Sequence, residues 1–179
     1  CESLAGLDIS VDMVKPNPVF MPWLEQSMAQ AVKEDLESRG VGIYSGHAVE
    51  RIRTFENGLQ VVCPDLNLNC DLVLVGIGVT PNSKVAETAC LDLSVKKSIA
   101  VDRGLRTSNE NIYAAGDCAD AYHVVTGEKT WIPLALRANR SGWAVADNVC
   151  GKDVALEGVA GTSVFRVFDF EVARTGLTA

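Results

Sequence analysis

Apolar and polar positions alternate from Ser10 to Val14 and stop at Lys15-Pro16-Asn17-Pro18, which predicts a short strand ended by its prolines. Residues 23–39 follow a helical period instead. Leu24, Met28, Ala31, Val32 and Leu36 share one face, and Glu25, Lys33, Glu34, Glu37 and Arg39 cover the other. Gly40 stands where a helix is capped. Val41–Ser45, Val49–Phe55 and Leu59–Cys63 read as three short strands, the last two joined through Glu56-Asn57-Gly58. Asn-Gly supplies the positive φ angles of a type I′ turn, so a hairpin is predicted. Leu66–Asn69 reads as a polar turn, and Asp71–Gly78 as a continuous apolar strand buried on both faces, as in a parallel sheet. A short helix is expected from Pro81-Asn82-Ser83 to Ala89. Short strands are expected at Ile99–Val101, Leu105-Arg106 and Ile112–Ala115. Leu134–Val149 is the second strong helix, with Gly151 just past its end and Gly142 inside it as a mark of close packing. Val164–Phe168 and Phe170–Arg174 close the pattern as two strands. Helices alternating with buried strands predict an α/β fold.

Composition narrows the function classes. The net charge of −7 disfavours nucleic acid and anionic lipid as partners, since both attract a basic face. The longest apolar-or-glycine run is Leu72–Val79, whereas a membrane-spanning helix needs about 20 residues, so none is expected. Six cysteines, at 1, 63, 70, 90, 118 and 150, form no C-x-x-C pair, and the only histidines are His47 and His123. That spacing offers no zinc or other metal site. The cysteines read as reduced, small apolar residues of a cytoplasmic protein. His123 reads as a loop residue, and Glu34, Asp35 and Glu37 as a solvated helix face. The opening Cys1-Glu2-Ser3 has no initiator Met and no signal-peptide pattern, so the chain reads as an internal segment of a longer one.

The most informative stretch runs from Thr107 to Asp117: a threonine, a polar spacer, the apolar Ile112–Ala115, then Gly116-Asp117. A glycine at the end of a strand lets a ligand approach the backbone. An ionised aspartate beyond it accepts hydrogen bonds from sugar-like hydroxyls. Over these eleven residues the chain resembles the second FAD-binding motif of the pyridine nucleotide-disulfide oxidoreductases. The resemblance implies that Asp117 binds a hydroxyl of the flavin's ribityl or ribose-phosphate chain, with Thr107 and Gly116 in the same motif.

Two further stretches extend the resemblance. Val75-Gly76-Ile77-Gly78-Val79-Thr80-Pro81-Asn82 is similar to the segment that closes the family's NAD(P) domain, which implies that Gly76 and Gly78 let that cofactor pass. Val125-Thr126-Gly127-Glu128, Trp131-Ile132-Pro133-Leu134-Ala135 and Ala138-Asn139-Arg140-Ser141-Gly142 are similar to the coenzyme A-disulfide reductase and NADH oxidase branch. There the helix opening at Pro133, Leu134 and Ala135 aims its N-terminus at the flavin, and its dipole stabilises negative charge on the reduced ring. Asn139 is a flavin contact by the same alignment. Gly161 is placed with the NAD(P) residues, although Gly161-Thr162 also looks like the start of the branch's interface domain.

The same alignment implies incomplete FAD- and NAD(P)-binding Rossmann-like three-layer domains: most of an NAD(P) domain over 1–97 with a small β-meander, half of an FAD domain over 98–152, and the start of an α+β interface domain over 153–179. No Gly-x-Gly-x-x-Gly loop is present, and none of the six cysteines matches the family's redox cysteine. Lys15 stands where an acid ordinarily binds the adenosine ribose, which predicts some tolerance of NADP. The family implies FAD and NAD(P)H as cofactors, a homodimer, and a small disulfide or oxygen as electron acceptor. The alternatives are a non-catalytic dinucleotide-domain module and a rubredoxin- or ferredoxin-reductase type of flavoenzyme.

Overall fold

The computed structural model describes residues 1–177, so the last two residues of the expected interface segment lie outside the described residues. The chain divides into two compact units. The first holds residues 1–77 and 164–172, and the second holds 78–163 and 173–177. The fold is mixed α/β, as the alternation of elements predicts.

The first unit begins with helix α1 (Glu2–Ala5), strand β1 (Asp12–Lys15), helix α2 (Gln26–Ser38) and strand β2 (Gly42–Ser45). β1 and β2 pair in parallel, Asp12 opposite Gly42 and Lys15 opposite Ser45, with α2 as the crossover between them. α2 buries Ala29, Val32 and Leu36 against Phe20, Leu24, Val41 and Val172. Two details of the predicted face change. Met28 is exposed and Ala29 buried in its place, and Leu24 packs from the residues before the helix. Gly40 takes the expected left-handed conformation, φ +81°, after the last turn.

Strands β3 (Arg51–Phe55), β4 (Gly58–Val62) and β5 (Asn67–Cys70) form the β-meander. Phe55 pairs with Gly58, so the two-residue loop is Glu56-Asn57 and the positive φ falls on Glu56, one position earlier than a type I′ Asn57-Gly58 turn requires. Gly58 serves a different need: a Cβ there would stand 2.8 Å from the Cys70 carbonyl. Leu66–Asn69 is not the expected turn, because Asn67–Cys70 pairs with β4 throughout. The polar ladder decides this. Gln60, buried at the centre of β4, receives Arg53 from one side and donates to Asn69 on the other at 2.8 Å.

Asp71–Gly78 departs most from expectation. It forms no strand and is mostly exposed, Ile77 at 92%. A continuous apolar strand is stable only between two covering neighbours, and no described strand pairs with this segment. The cysteines also depart from expectation. All are free, but only Cys63 is buried, and Cys1, Cys90 and Cys150 are exposed. Burial pushes the Cys63 thiol above its ordinary pKa.

The second unit contains α3 (Lys84–Thr88), the short strands β6 (Ala121–Tyr122) and β7 (Lys129–Thr130), and the long helix α4 (Ala135–Val149). Ile99, Arg106 and Tyr113 make isolated bridges rather than strands. Their residues still supply the core, with Ile99, Val101, Leu105 and Ala114 packed among Ala86, Ala119 and Ala144. Gly142 is exposed, and a Cβ there would meet nothing, so it marks no close packing. The two expected final strands, β8 (Ser163–Val167) and β9 (Phe170–Arg174), pair with each other, and their residues 164–172 belong to the first unit. No described helix is long and apolar enough to cross a membrane.

Leu36 is 2% exposed at the centre of the first core. Leu36→Ala is expected to cost about 2–5 kcal/mol. The cost would appear as a lower urea midpoint with an unchanged slope. A midpoint equal to the parent's would contradict the packing described.

Candidate flavin site

The Gly116-Asp117 turn and the start of α4 come together in the second unit. Gly116 adopts φ +81°, a conformation that only glycine takes without strain, and Gly116–Cys118 forms one 3-10 turn after the extended Ala115. Three side chains hold this turn. Ser141 Oγ accepts the Gly116 N–H at 3.0 Å, Arg137 Nη1 donates to the Gly116 carbonyl at 2.7 Å, and Trp131 Nε1 donates to the Asp117 carbonyl at 2.7 Å. The Asp117 side chain itself is exposed and has no hydrogen bond or ion pair among the described residues.

α4 starts beside this turn without a side-chain cap. Its first main-chain bond runs from the Ala138 N–H to the Leu134 carbonyl at 2.9 Å, so the amides of Ala135, Leu136 and Arg137 keep their donors for an outside acceptor. Pro133 and Leu134 are half-buried, while Ala135 and Asn139 are exposed. The free donors carry the positive end of a 15-residue helix dipole. An acceptor carboxylate beside uncapped amides suits a ligand that has both hydroxyls and negative charge. That donor and acceptor set fits a flavin dinucleotide.

A buried polar cluster lies beneath the turn. Asp120 is fully buried, and its Oδ1 accepts the Val101 N–H at 3.1 Å and Lys129 Nζ at 2.9 Å. Its Oδ2 has no partner among the described residues. Lys129 also donates to the Val101 carbonyl, and Arg137 donates through Nη2 to the Asp120 carbonyl. Burial lowers the Arg137 pKa, and the charges of Asp120, Asp117 and Cys118 act against that shift. Sequence reasoning passed over Arg137, Asp120, Lys129 and Ser141. The available signal was the i, i+4 spacing of Arg137 and Ser141 on the face of α4 that also carries Ala144 and Asn148.

The other expected residues are placed differently. Thr107 closes its own loop: its hydroxyl donates to the carbonyls of Asn109 and Ile112 at 3.1 and 3.0 Å and accepts the Asn109 N–H at 3.2 Å. Lys15 Nζ donates to the Val19 carbonyl at 2.5 Å and lies over the Phe20 ring, and burial lowers its pKa. Gly76 and Gly78 lie in the exposed extended segment, Gly78 at φ +93°. Gly161, φ +70°, belongs to the second unit, where its Cβ position is 3.4 Å from Ile132. His123, read as a loop residue, is buried beside β6, its Nδ1 accepting the Val125 N–H at 3.2 Å. His47 Nδ1 contacts Asp65 at 2.9 Å, and this hydrogen bond holds the Asp65 carboxyl below its ordinary range.

The family model described as pyridine nucleotide-disulphide oxidoreductase matches residues 1–142. The chain belongs to this family. It is 33% identical over 155 residues to a CoA-dependent NAD(P)H sulfur oxidoreductase of Pyrococcus furiosus, covering 87% of this chain and 33% of that relative. Among solved structures, an NAD-dependent persulfide reductase from A. fulgidus is 34% identical with a TM-score of 0.92, covering 99% of this chain and 33% of that one. A water-forming NADH oxidase from Lactobacillus brevis, bound to NADH, is 26% identical with a TM-score of 0.93, covering 98% and 39%. The chain thus spans about a third of the length of these oxidoreductases. Its α/β fold is that of their Rossmann-like dinucleotide-binding regions.

The left-handed Gly116 yields a direct test. A Cβ there would stand 3.8 Å from Ala138 Cβ, an ordinary contact, so the conformation alone resists substitution. Gly116→Ala is expected to cost about 1–2 kcal/mol. A lower melting temperature checks this, and an unchanged one would contradict the assigned conformation.

Proposed function

We propose that this chain forms the flavin-facing part of an FAD-dependent NAD(P)H oxidoreductase, one that passes electrons to a disulfide such as coenzyme A disulfide, or to oxygen. The observation that carries the reading is the meeting of the Gly116-Asp117 turn with the uncapped start of α4. Asp117 accepts a hydroxyl of the cofactor's sugar or ribityl chain. The α4 amides face its electron-rich part. When bound, the flavin supplies the hydride-accepting chemistry, and the residues here bind and orient it. Relatives that use NAD(P)H to reduce sulfur species, and others that oxidise NADH, support both acceptors. The chain is read as one segment of a larger enzyme, a reading supported by the third of its relatives' length that it spans, and the homodimeric, cytoplasmic state of that enzyme is proposed from the family resemblance alone.

The deciding experiment replaces Asp117 with Ala in the full-length protein and measures FAD affinity by titrating the apoprotein. A lost hydrogen bond to a charged group is worth about 1.5–3 kcal/mol, which converts to about a ten- to hundredfold weaker affinity. Unchanged affinity would remove Asp117 from the flavin site, and a parent protein that takes up no FAD would favour the non-catalytic module.

NADP tolerance through Lys15 belongs to the same proposal. Its ammonium must leave the Val19 carbonyl to meet a 2′-phosphate. Lys15→Glu is expected to lower kcat/KM for NADPH relative to NADH, and an unchanged ratio would end the idea.

A further inference from the structure

Arg137 and Ser141 sit one turn apart on α4 and are both almost wholly buried, at 8% and 0% exposure. Neither serves the helix alone. Ser141 accepts the N–H of Gly116, and Arg137 donates to its carbonyl, so one peptide-bearing residue is gripped from both sides by a single helix. The second guanidinium nitrogen continues to the Asp120 carbonyl, four residues further on. Each grip acts at the backbone next to Asp117, and neither side chain has surface left to touch a ligand of ordinary size.

A glycine at φ +81° has an open choice of backbone conformations, and nothing in its own side chain selects one. Fixing it therefore falls to its partners. The same helix that carries the uncapped amides also fixes the carboxylate's backbone, so the two halves of the site keep a constant separation.

We propose that Arg137 and Ser141 are positioning residues that hold Asp117 at a fixed place relative to the N-terminus of α4, and so set flavin affinity without contacting the flavin. The inference rests on the flavin reading of Asp117. Loss of either grip lets the turn sample other conformations, and the cofactor must then select the competent one, which weakens binding by the fraction lost.

The test is a double-mutant cycle in the full-length protein, with FAD titrated into the apoprotein of Asp117→Ala, Arg137→Lys, Ser141→Ala and each pair with Asp117→Ala. Arg137→Lys keeps the charge but loses the planar fork that spans the Gly116 and Asp120 carbonyls, and Ser141→Ala removes the acceptor together with the hydroxyl's own bond to the Ala138 carbonyl at 2.9 Å. Each is expected to weaken FAD binding about three- to tenfold, the effect of about one net hydrogen bond lost from the hold on the turn. In the Asp117→Ala background the same changes should have no further effect, because Asp117 is the group they position. The visible circular dichroism of bound flavin should shift in the two single variants, a signature that general destabilisation of the apoprotein would not produce. If Asp117→Ala leaves affinity unchanged, the flavin reading itself fails. If Asp117→Ala weakens binding while Arg137→Lys and Ser141→Ala do not, or if their losses add fully to that of Asp117→Ala, the positioning role is overturned and the flavin reading stands.

Discussion

The second unit depends on how it accommodates a carboxylate with no access to water. Asp120 is fully buried, and a buried charge is tolerable only when paired and hydrogen-bonded. Its Oδ1 draws in the main chain at Val101 and the ammonium of Lys129, and its own carbonyl takes one arm of Arg137. Four pieces of chain therefore have one relative arrangement that satisfies them: the bridge region near Ile99, the β6–β7 hairpin, the Gly116–Cys118 turn and helix α4. The regular sheet in this unit is sparse, with two-residue strands and isolated bridges. Side chains do work that a longer ladder would otherwise do.

From that arrangement the site follows. Arg137 is committed on one side to the cluster and on the other to Gly116, so the electrostatic compensation of the core and the shape of the ligand-facing turn share one guanidinium. Its burial lowers its pKa, but an arginine starts so high that it stays charged at any physiological pH. Trp131 adds a third hold from the segment leading into α4, and Lys96 lies over its ring. What faces outward is then a single exposed carboxylate and the uncapped amides of a helix, an arrangement rigid in backbone and open in chemistry.

The sequence showed the parts of this that depend on local pattern. The 3.6-residue period over 23–39 and 134–149 gave both long helices, because each buries one continuous stripe. The Gly116-Asp117 turn was anticipated only through the family resemblance over residues 107–117, and its glycine takes the left-handed conformation here. The failures have a common cause. Asp71–Gly78 is apolar enough for a covered strand, but a strand exists only through partners, and composition does not reveal whether these are present. Leu66–Asn69 looked like a turn because of its two asparagines, while the pairing of Asn67–Cys70 with β4 brings Gln60 to Asn69. Arg137 and Ser141 were hidden for the same reason: a polar residue on a helix reads as surface until the backbone it serves is known. Thr107, read as a flavin residue from the motif alone, is spent on closing its own loop.

The most direct measurement is a crystal structure of the full-length protein grown with FAD. The account predicts a sugar or ribityl hydroxyl of the cofactor within hydrogen-bond distance of the Asp117 carboxylate, with the first amides of α4 facing the flavin and Gly116 still held between Arg137 and Ser141. A flavin bound elsewhere, with Asp117 facing only solvent, would contradict it.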